Sequence, residues 1–190
     1  MWLGRRRGTP PHAAALAVVL VPYAQLMHEA RSAWSRSADA PGFVPRFETT
    51  MNWTRSLGGF EPERDGIHLD AARDALTAES LLARAGLASH QNVLASRLME
   101  AAWSLSRLAA AVPPEARLAW GARMAQSLSQ DRVAPVLEIE ARLGRIALAW
   151  AASASYPSDL VFSAQLDLLV VLEGFQTEPV TQALKQQWSD

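Results

Sequence analysis

The chain has 190 residues, of which 49% are apolar and 19% are charged, so it can bury a core and is too apolar for intrinsic disorder. The formal net charge of −1 does not favour nucleic acid as a partner, because binding to phosphates needs a basic surface. Cysteine is absent, which excludes disulfides, thiolate zinc sites and cysteine nucleophiles.

The N-terminal part of the chain, residues 1–34, allows two interpretations. Arginines at positions 5–7 precede an apolar run over residues 13–21, a pattern typical of a signal peptide or an N-terminal anchor. The run is shorter than the ~20 residues that a membrane-spanning helix needs. We therefore favour a basic leader followed by a first core helix over residues 13–34, and the anchor stays open as the alternative.

Residues 35–66 form a segment of different character, rich in proline, glycine and aromatic residues. This composition predicts a long irregular segment, and such segments often carry function. Aromatic and arginine side chains are over-represented among the residues that dominate protein interfaces, and charged residues form the polar rim. The partner-binding residues predicted here are Trp53, Arg55, Phe60, Glu61, Glu63, Arg64 and Asp65.

From residue 68 onward the sequence predicts one helix after another. Apolar residues recur at helical spacing within residues 70–84, 91–111, 115–130 and 138–150. The run over residues 160–172 is apolar nearly all round, which predicts a central or interface helix. A short polar helix is expected to begin near residue 177. We expect the helix over residues 115–130 to bury Leu118, Ala122, Ala125 and Leu128, and the core to include Trp103, Trp120 and Trp150.

The first joint between these helices lies at residues 81–90. Gly86 suits the left-handed position that follows a helix, because glycine has no Cβ to clash there. Ser89 is expected to cap the next helix by accepting a hydrogen bond from a backbone N–H group. Two helix–proline–helix hairpins then follow each other, turning at Pro114 and Pro157.

The residue types needed for catalysis do not form a recognisable pattern. The four histidines lack metal-binding spacing, and neither a phosphate-binding glycine loop nor a nucleophile elbow occurs. We therefore expect a protein that is not an enzyme, with no cofactor, metal or small-molecule substrate. The expected fold is an irregular all-α single domain of successive helices and helical hairpins, with a helical core over residues 67–190.

Several strings of residues resemble one known family, the K subunit of the type III secretion sorting platform (the SctK/YscK family). The strings mark helix boundaries and apolar positions along most of the chain. They are Val21-Pro22-Tyr23-Ala24-Gln25-Leu26 with Trp34, Leu81-Leu82-x-Arg84-x-Gly86-Leu87, Pro114-Glu115-Ala116-Arg117, and Glu140-Ala141-Arg142 leading through Ala147-Leu148-Ala149-Trp150-Ala151-Ala152 to Tyr156-Pro157.

The resemblance implies a non-enzymatic, all-α adaptor at the cytoplasmic face of the bacterial inner membrane, with a role in protein transport and virulence. Its partners would be the cytoplasmic domain of the inner-membrane ring protein and the pod protein beneath it. The alternative that follows from the arginine-led apolar run is an N-terminally anchored periplasmic helical scaffold of an envelope complex.

Overall fold

The computed structural model describes most of the chain, and its contacts gather in two compact units. The helical unit is continuous, Phe60–Asp159, whereas the sheet unit is assembled from Met1–Gly59 and Leu160–Asp190. Helices dominate both units, as predicted. The residues described are 2–5, 17–37, 44–130, 137–176 and 178–189, with the backbone alone described for 2–5 and 129–130.

The sheet unit is built on four strands. They are β1 (Trp2–Arg5), β2 (Ala17–Leu20), β3 (Arg46–Glu48) and β4 (Leu168–Val171). Their order in the sheet is β1-β4-β2-β3. The strands β4, β2 and β3 run parallel, with Leu20 opposite Val171 and Glu48, and β1 is antiparallel to β4. Three strands therefore end at the same edge of the sheet.

Helices cover both faces of this sheet, so its central strands β2 and β4 are apolar on both sides, as is usual for parallel strands. On one face, α1 (Leu26–Ser37) packs with Met27 and Ala30. On the other face lie α2 (Thr50–Leu57), the short α7 (Asp159–Phe162) and α8 (Pro179–Gln187). The strand residues that face α1 are Val19, Phe47 and Val170, and those that face the other helices are Val18, Leu20, Leu169 and Val171.

The helical unit consists of four long helices and one short 3-10 turn. They are α3 (Ala71–Arg84), the 3-10 turn Ala88–His90, α4 (Gln91–Ala109), α5 (Pro114–Gln130) and α6 (Glu138–Ser153). The helices pack in the pairs α3–α4, α4–α6 and α5–α6. Their shared core is rich in alanine and leucine and contains Trp150, with Trp103 and Trp120 packed against it, as predicted for these three tryptophans.

Two of the predicted helices contain a strand of the sheet unit instead, so these two predictions were wrong. Within residues 160–172 the structure has β4, and within residues 13–34 it has β2 before α1, which begins only at Leu26. Both errors have one physical cause: a short apolar run buried on all sides has the same appearance in a strand and in a helix. The arginines at positions 6 and 7 and the start of the apolar run lie outside the described residues.

The segment over residues 35–66 is not irregular throughout, because it holds β3 and α2. Helix α2 begins where Thr49 accepts a hydrogen bond from the backbone N–H of Asn52 at 3.2 Å, which satisfies a donor at the helix start. The segment also crosses the boundary between the two units at residues 59 and 60. The sequence had indicated three segments within one domain, and this boundary falls inside the second.

The predicted burial of α5 also needs correction. Leu118, Ala122 and Leu128 are exposed and Ala125 is half-buried, and the helix turns Arg117 and Gly121 inward instead. Arg117 is drawn inward by hydrogen bonds described below. Gly121 allows α5 to approach α6 closely, since a Cβ at this position would lie 2.5 Å from that of Ala152.

The joint at residues 81–90 confirms one prediction and contradicts the other. Gly86 has a φ of +76°, and the N–H of Leu87 donates to the carbonyl of Leu82 at 2.8 Å, which closes α3 with a Schellman motif. Ser89 does not cap α4. Its hydroxyl pairs with Nδ1 of the neighbouring His90 at 2.9 Å, because the chain enters α4 through a 3-10 turn.

Candidate functional site

The structure separates the residues that were predicted to bind a partner. Trp53 and Arg55 lie on α2 in the sheet unit, whereas Phe60 to Asp65 belong to the helical unit. Trp53 is only 1% exposed and packs among the apolar residues of the sheet. It is therefore a core residue and not the exposed anchor that we predicted, while Arg55 is exposed.

Three of the predicted residues line one groove of the helical unit. The groove has a volume of about 610 Å³. Its lining residues are Glu61, Pro62, Arg64, Asp65, His68, Arg73, Leu76, Thr77 and Ser80. Glu63 is exposed and Phe60 is half-buried, and neither lines the groove. We call this feature the α3 groove, because one of its walls is formed by Arg73, Leu76, Thr77 and Ser80 of α3.

One wall of the α3 groove is formed by residues within 61–68, which precede α3 in the chain, and two tryptophan side chains hold this wall in place. The indole N–H of Trp150 on α6 donates to the carbonyl of Asp65 at 3.0 Å. The indole N–H of Trp103 on α4 donates to Oδ2 of Asp74 at 2.7 Å, and Oδ1 of Asp74 accepts from the backbone N–H of His68 at 3.0 Å. Asp74 is fully buried, so its hydrogen bonds replace the water it has lost. The groove is therefore preformed.

The chemistry of the α3 groove is mixed. Its charged side chains carry both signs, with Glu61 and Asp65 beside Arg64 and Arg73. Leu76 is 68% exposed although it lies within the groove. An exposed leucine surrounded by charged residues has the composition of a protein-binding surface, which has an apolar centre and a polar rim. The buried residues of α3 are Asp74, Ala78 and Leu82, so Leu76 lies off its inner face.

A buried arginine joins the two helix junctions of this unit. Arg117 donates to the carbonyls of Ala109 and Val112 at the end of α4, both at 2.9 Å, and to that of Ala154 after α6 at 3.0 Å. Its remaining two N–H groups bind both carboxylate oxygens of Asp159. The guanidinium also lies over the ring of Tyr156, 4.8 Å from the centroid. Each N–H group of Arg117 therefore has an acceptor, and the cluster stabilises the helical unit.

The sheet unit contains a second candidate, a cavity of about 290 Å³ at the ends of its parallel strands. We call it the strand-end cavity. It was missed in the sequence because its walls come from positions far apart in the chain. One signal was available: Glu178, Thr181, Gln182 and Lys185 stand at positions i, i+3, i+4 and i+7, which places these polar residues on one face of α8 and its N-cap.

The described residues show neither a metal centre nor a membrane span. Within the ranges given above, no three histidine, aspartate or glutamate side chains come together in a way that could hold a metal ion. Among the helices of this part of the chain, none combines the length and the hydrophobicity needed to span a bilayer.

No model of a known protein family matches the chain, and neither a curated protein nor a solved structure is significantly similar to it.

Proposed function

We propose that the protein is a non-enzymatic adaptor of a bacterial type III secretion sorting platform. It would link the cytoplasmic domain of the inner-membrane ring protein to the pod protein, at the cytoplasmic face of the inner membrane. The observation that carries an adaptor role is the α3 groove, in which the exposed Leu76 lies among charged side chains on a wall held by Trp103 and Trp150.

The energetics of the groove favour a protein as its occupant. Covering Leu76 would remove a large apolar side chain from water, which is worth on the order of 2 kcal/mol for full burial. Because the wall of the groove is already fixed, little ordering entropy is lost when a partner binds. The flanking charges of both signs would select the orientation of the partner more than they add affinity.

The choice of secretion system depends on the resemblance described above. Two of its strings, Pro114-Glu115-Ala116-Arg117 and the Tyr156-Pro157 turn, meet where Arg117 lies over the ring of Tyr156. The resemblance therefore includes residues that hold the helical unit together, which supports the proposal without identifying a binding residue.

Co-purification tests the proposal. The full chain is produced with the ring protein's cytoplasmic domain and the pod protein encoded in the same genome, and we expect both to be retained. Leu76→Asp is expected to weaken capture of at least one partner by about tenfold or more, since charged groups are costly in the centre of an interface. The matched control is Leu118→Asp, because Leu118 is 67% exposed and lies on α5, outside the groove.

Each outcome has a defined meaning. If the wild-type chain retains neither protein, the adaptor proposal is wrong. If Leu76→Asp binds as well as the wild type, the α3 groove is not the binding surface. Recovery of the protein from the periplasm on cell fractionation would replace the proposal with the anchored periplasmic scaffold.

A further inference from the structure

The strand-end cavity lies where three parallel strands of the sheet unit end. Its walls come from the residues that follow each strand: Val21 and Pro22 after β2, Thr49 and Thr50 after β3, and 172–174 after β4. Leu20 and Val171 are buried on the same face of the sheet and give the cavity an apolar floor. Gly174 keeps the two exit loops in contact, because a Cβ there would lie 2.8 Å from that of Pro22.

The connections of the sheet open a crevice at this point. Strands β2 and β4 are neighbours, but the helix that follows β2 packs on one face of the sheet and the helix that follows β4 packs on the other. The chain therefore leaves the two strands in opposite directions. In sheets with parallel strands, ligands bind in the crevice outside the carboxyl ends of the strands at such a switch point.

The charged groups of the cavity are already paired. Lys185 binds Glu173, and this hydrogen bond holds the pKa of the Glu173 carboxyl below its usual range. The carboxylate of Glu178 accepts from the backbone N–H groups of Val180 and Thr181 and from the Thr181 hydroxyl, and so caps α8. Because Lys185 and the backbone N–H groups at the start of α8 are already engaged by these carboxylates, they do not offer a free binding group to an anionic ligand.

Two of the uncharged polar side chains that line the cavity are available to a ligand. The hydroxyl of Thr50 and the amide of Gln182 have no hydrogen-bond partner among the described residues, and both line the cavity. An amide can donate and accept, as can a hydroxyl, so the pair matches a ligand that also carries both functions. The buried floor beneath them suits the apolar face of a ring.

We propose that the strand-end cavity binds a small uncharged ligand with hydroxyl groups on a ring, which rests on the floor formed by Leu20 and Val171 and is oriented by Thr50 and Gln182. The volume of about 290 Å³ is at the small end of ligand pockets, so one or two rings fit. Monosaccharides and the sugar rings of nucleosides share this chemistry, and the two sources are compared directly in the experiment.

The experiment is a titration of the full chain followed by amide chemical shifts. The probes are glucose, galactose, adenosine, uridine and, as an anionic comparison, inorganic phosphate, each up to about 10 mM, a concentration that detects even weak sites. We expect saturable shifts with a sugar or a nucleoside, concentrated at Val21, Thr50 and Gly174. Gln182→Leu and Thr50→Val should each weaken binding about three- to tenfold, the loss of one hydrogen bond.

The control is Gln186→Leu, which changes an exposed glutamine of α8 outside the cavity and should leave affinity unchanged. If only the sugars bind, the ligand is a monosaccharide, and if only the nucleosides bind, the ligand is a nucleoside. The proposal is overturned if no uncharged probe gives saturable shifts at these residues, if phosphate binds more tightly, or if both cavity variants bind like the wild type. Capture of protein partners by Gln182→Leu should be unchanged, so this inference and the adaptor proposal can fail separately.

Discussion

Arg117 shows how a single charged residue can be stable in the interior of this protein. It is 3% exposed, and each of its five N–H groups has an acceptor: three backbone carbonyls and the two carboxylate oxygens of Asp159. Two of the carbonyls, those of Ala109 and Ala154, lie at the ends of α4 and α6, where a helix has no N–H donor of its own for them. Lysine has three donors without a planar fork and cannot replace all of these bonds.

We therefore expect Arg117→Lys to lower the free energy of unfolding by about 2 kcal/mol or more, since at least two buried acceptors lose their donors. Chemical denaturation of the two proteins measures the difference. The control is Arg123→Lys on the exposed side of the same helix, which should stay within about 0.5 kcal/mol of the wild type. Equal effects of the two substitutions would contradict the structural role of Arg117.

Tyr156 provides a test of burial by titration. Burial raises the pKa of its phenol well above the ordinary value, and the hydroxyl donates to the carbonyl of Ala151 at 2.8 Å. A raised pKa in the folded state means that the neutral phenol contributes stability below the unfolded pKa of about 10, and that this contribution is lost as pH rises above it.

In Tyr23→Phe, Tyr156 is the remaining tyrosine of the two in the chain. We expect the phenolate absorbance of this variant to rise with a midpoint well above the ordinary tyrosine pKa of about 10 and to coincide with unfolding followed by circular dichroism. A phenolate that forms at the ordinary pH while the protein stays folded would show that Tyr156 is accessible to solvent.

At the scale of elements, the crossing of α5 and α6 depends on a glycine. Gly121 meets Ala152 so closely that even a methyl group does not fit, whereas Gly144 on α6 faces only the flexible end of Leu128 at 3.4 Å. Both glycines lie inside helices, where alanine is otherwise the better residue by about 1 kcal/mol. The same substitution should therefore have opposite effects at the two positions.

Gly121→Ala is expected to destabilise the protein by about 1–3 kcal/mol through overpacking. Gly144→Ala should leave stability unchanged or raise it by up to about 1 kcal/mol. Thermal melts measure both, and adding Ala152→Gly to Gly121→Ala should recover part of the loss because it removes the opposing methyl group. The described close approach is refuted if Gly121→Ala melts at or above the wild-type temperature.

The elements that the sequence predicted are those with local chemical signals. The α3 end follows from Gly86, the start of α8 from Glu178 and Pro179, and the α4–α5 junction from Pro113 and Pro114. The strands β2 and β4 lack such signals, since their apolar residues face two covered sides and show no alternation. The α3 groove was partly predicted through Glu61, Arg64 and Asp65, but the strand-end cavity depends on strand pairing, which a sequence does not show.

At the scale of the whole molecule, one compact unit is inserted into the sequence of the other. The helical unit has its own core, drawn from residues between Ile67 and Tyr156, and the sheet unit has its own cores on the two faces of the sheet. Each unit thus buries apolar side chains without residues of the other, which is the requirement for independent folding.

A fragment of residues 60–159 is therefore expected to fold alone, with a helical circular dichroism spectrum and a cooperative thermal transition. The comparison fragment, residues 1–59, lacks β4 and should stay unfolded, because its central strand β2 has lost the neighbour with which it pairs from Ala17 to Leu20. A fragment 60–159 that melts without cooperativity would show that the helical unit needs the rest of the chain.

The pairing of β2 with β4 has a consequence for synthesis of the protein. β2 ends at Leu20, and its neighbour in the sheet begins at Leu168, after the whole helical unit. At roughly 5–20 residues per second, a ribosome leaves the apolar strand Ala17–Leu20 without this partner for on the order of ten seconds or more. The helical unit is fully synthesised before β2 and β4 of the sheet unit can pair. The emerging N-terminal segment is therefore the part of the nascent chain most in need of protection from aggregation.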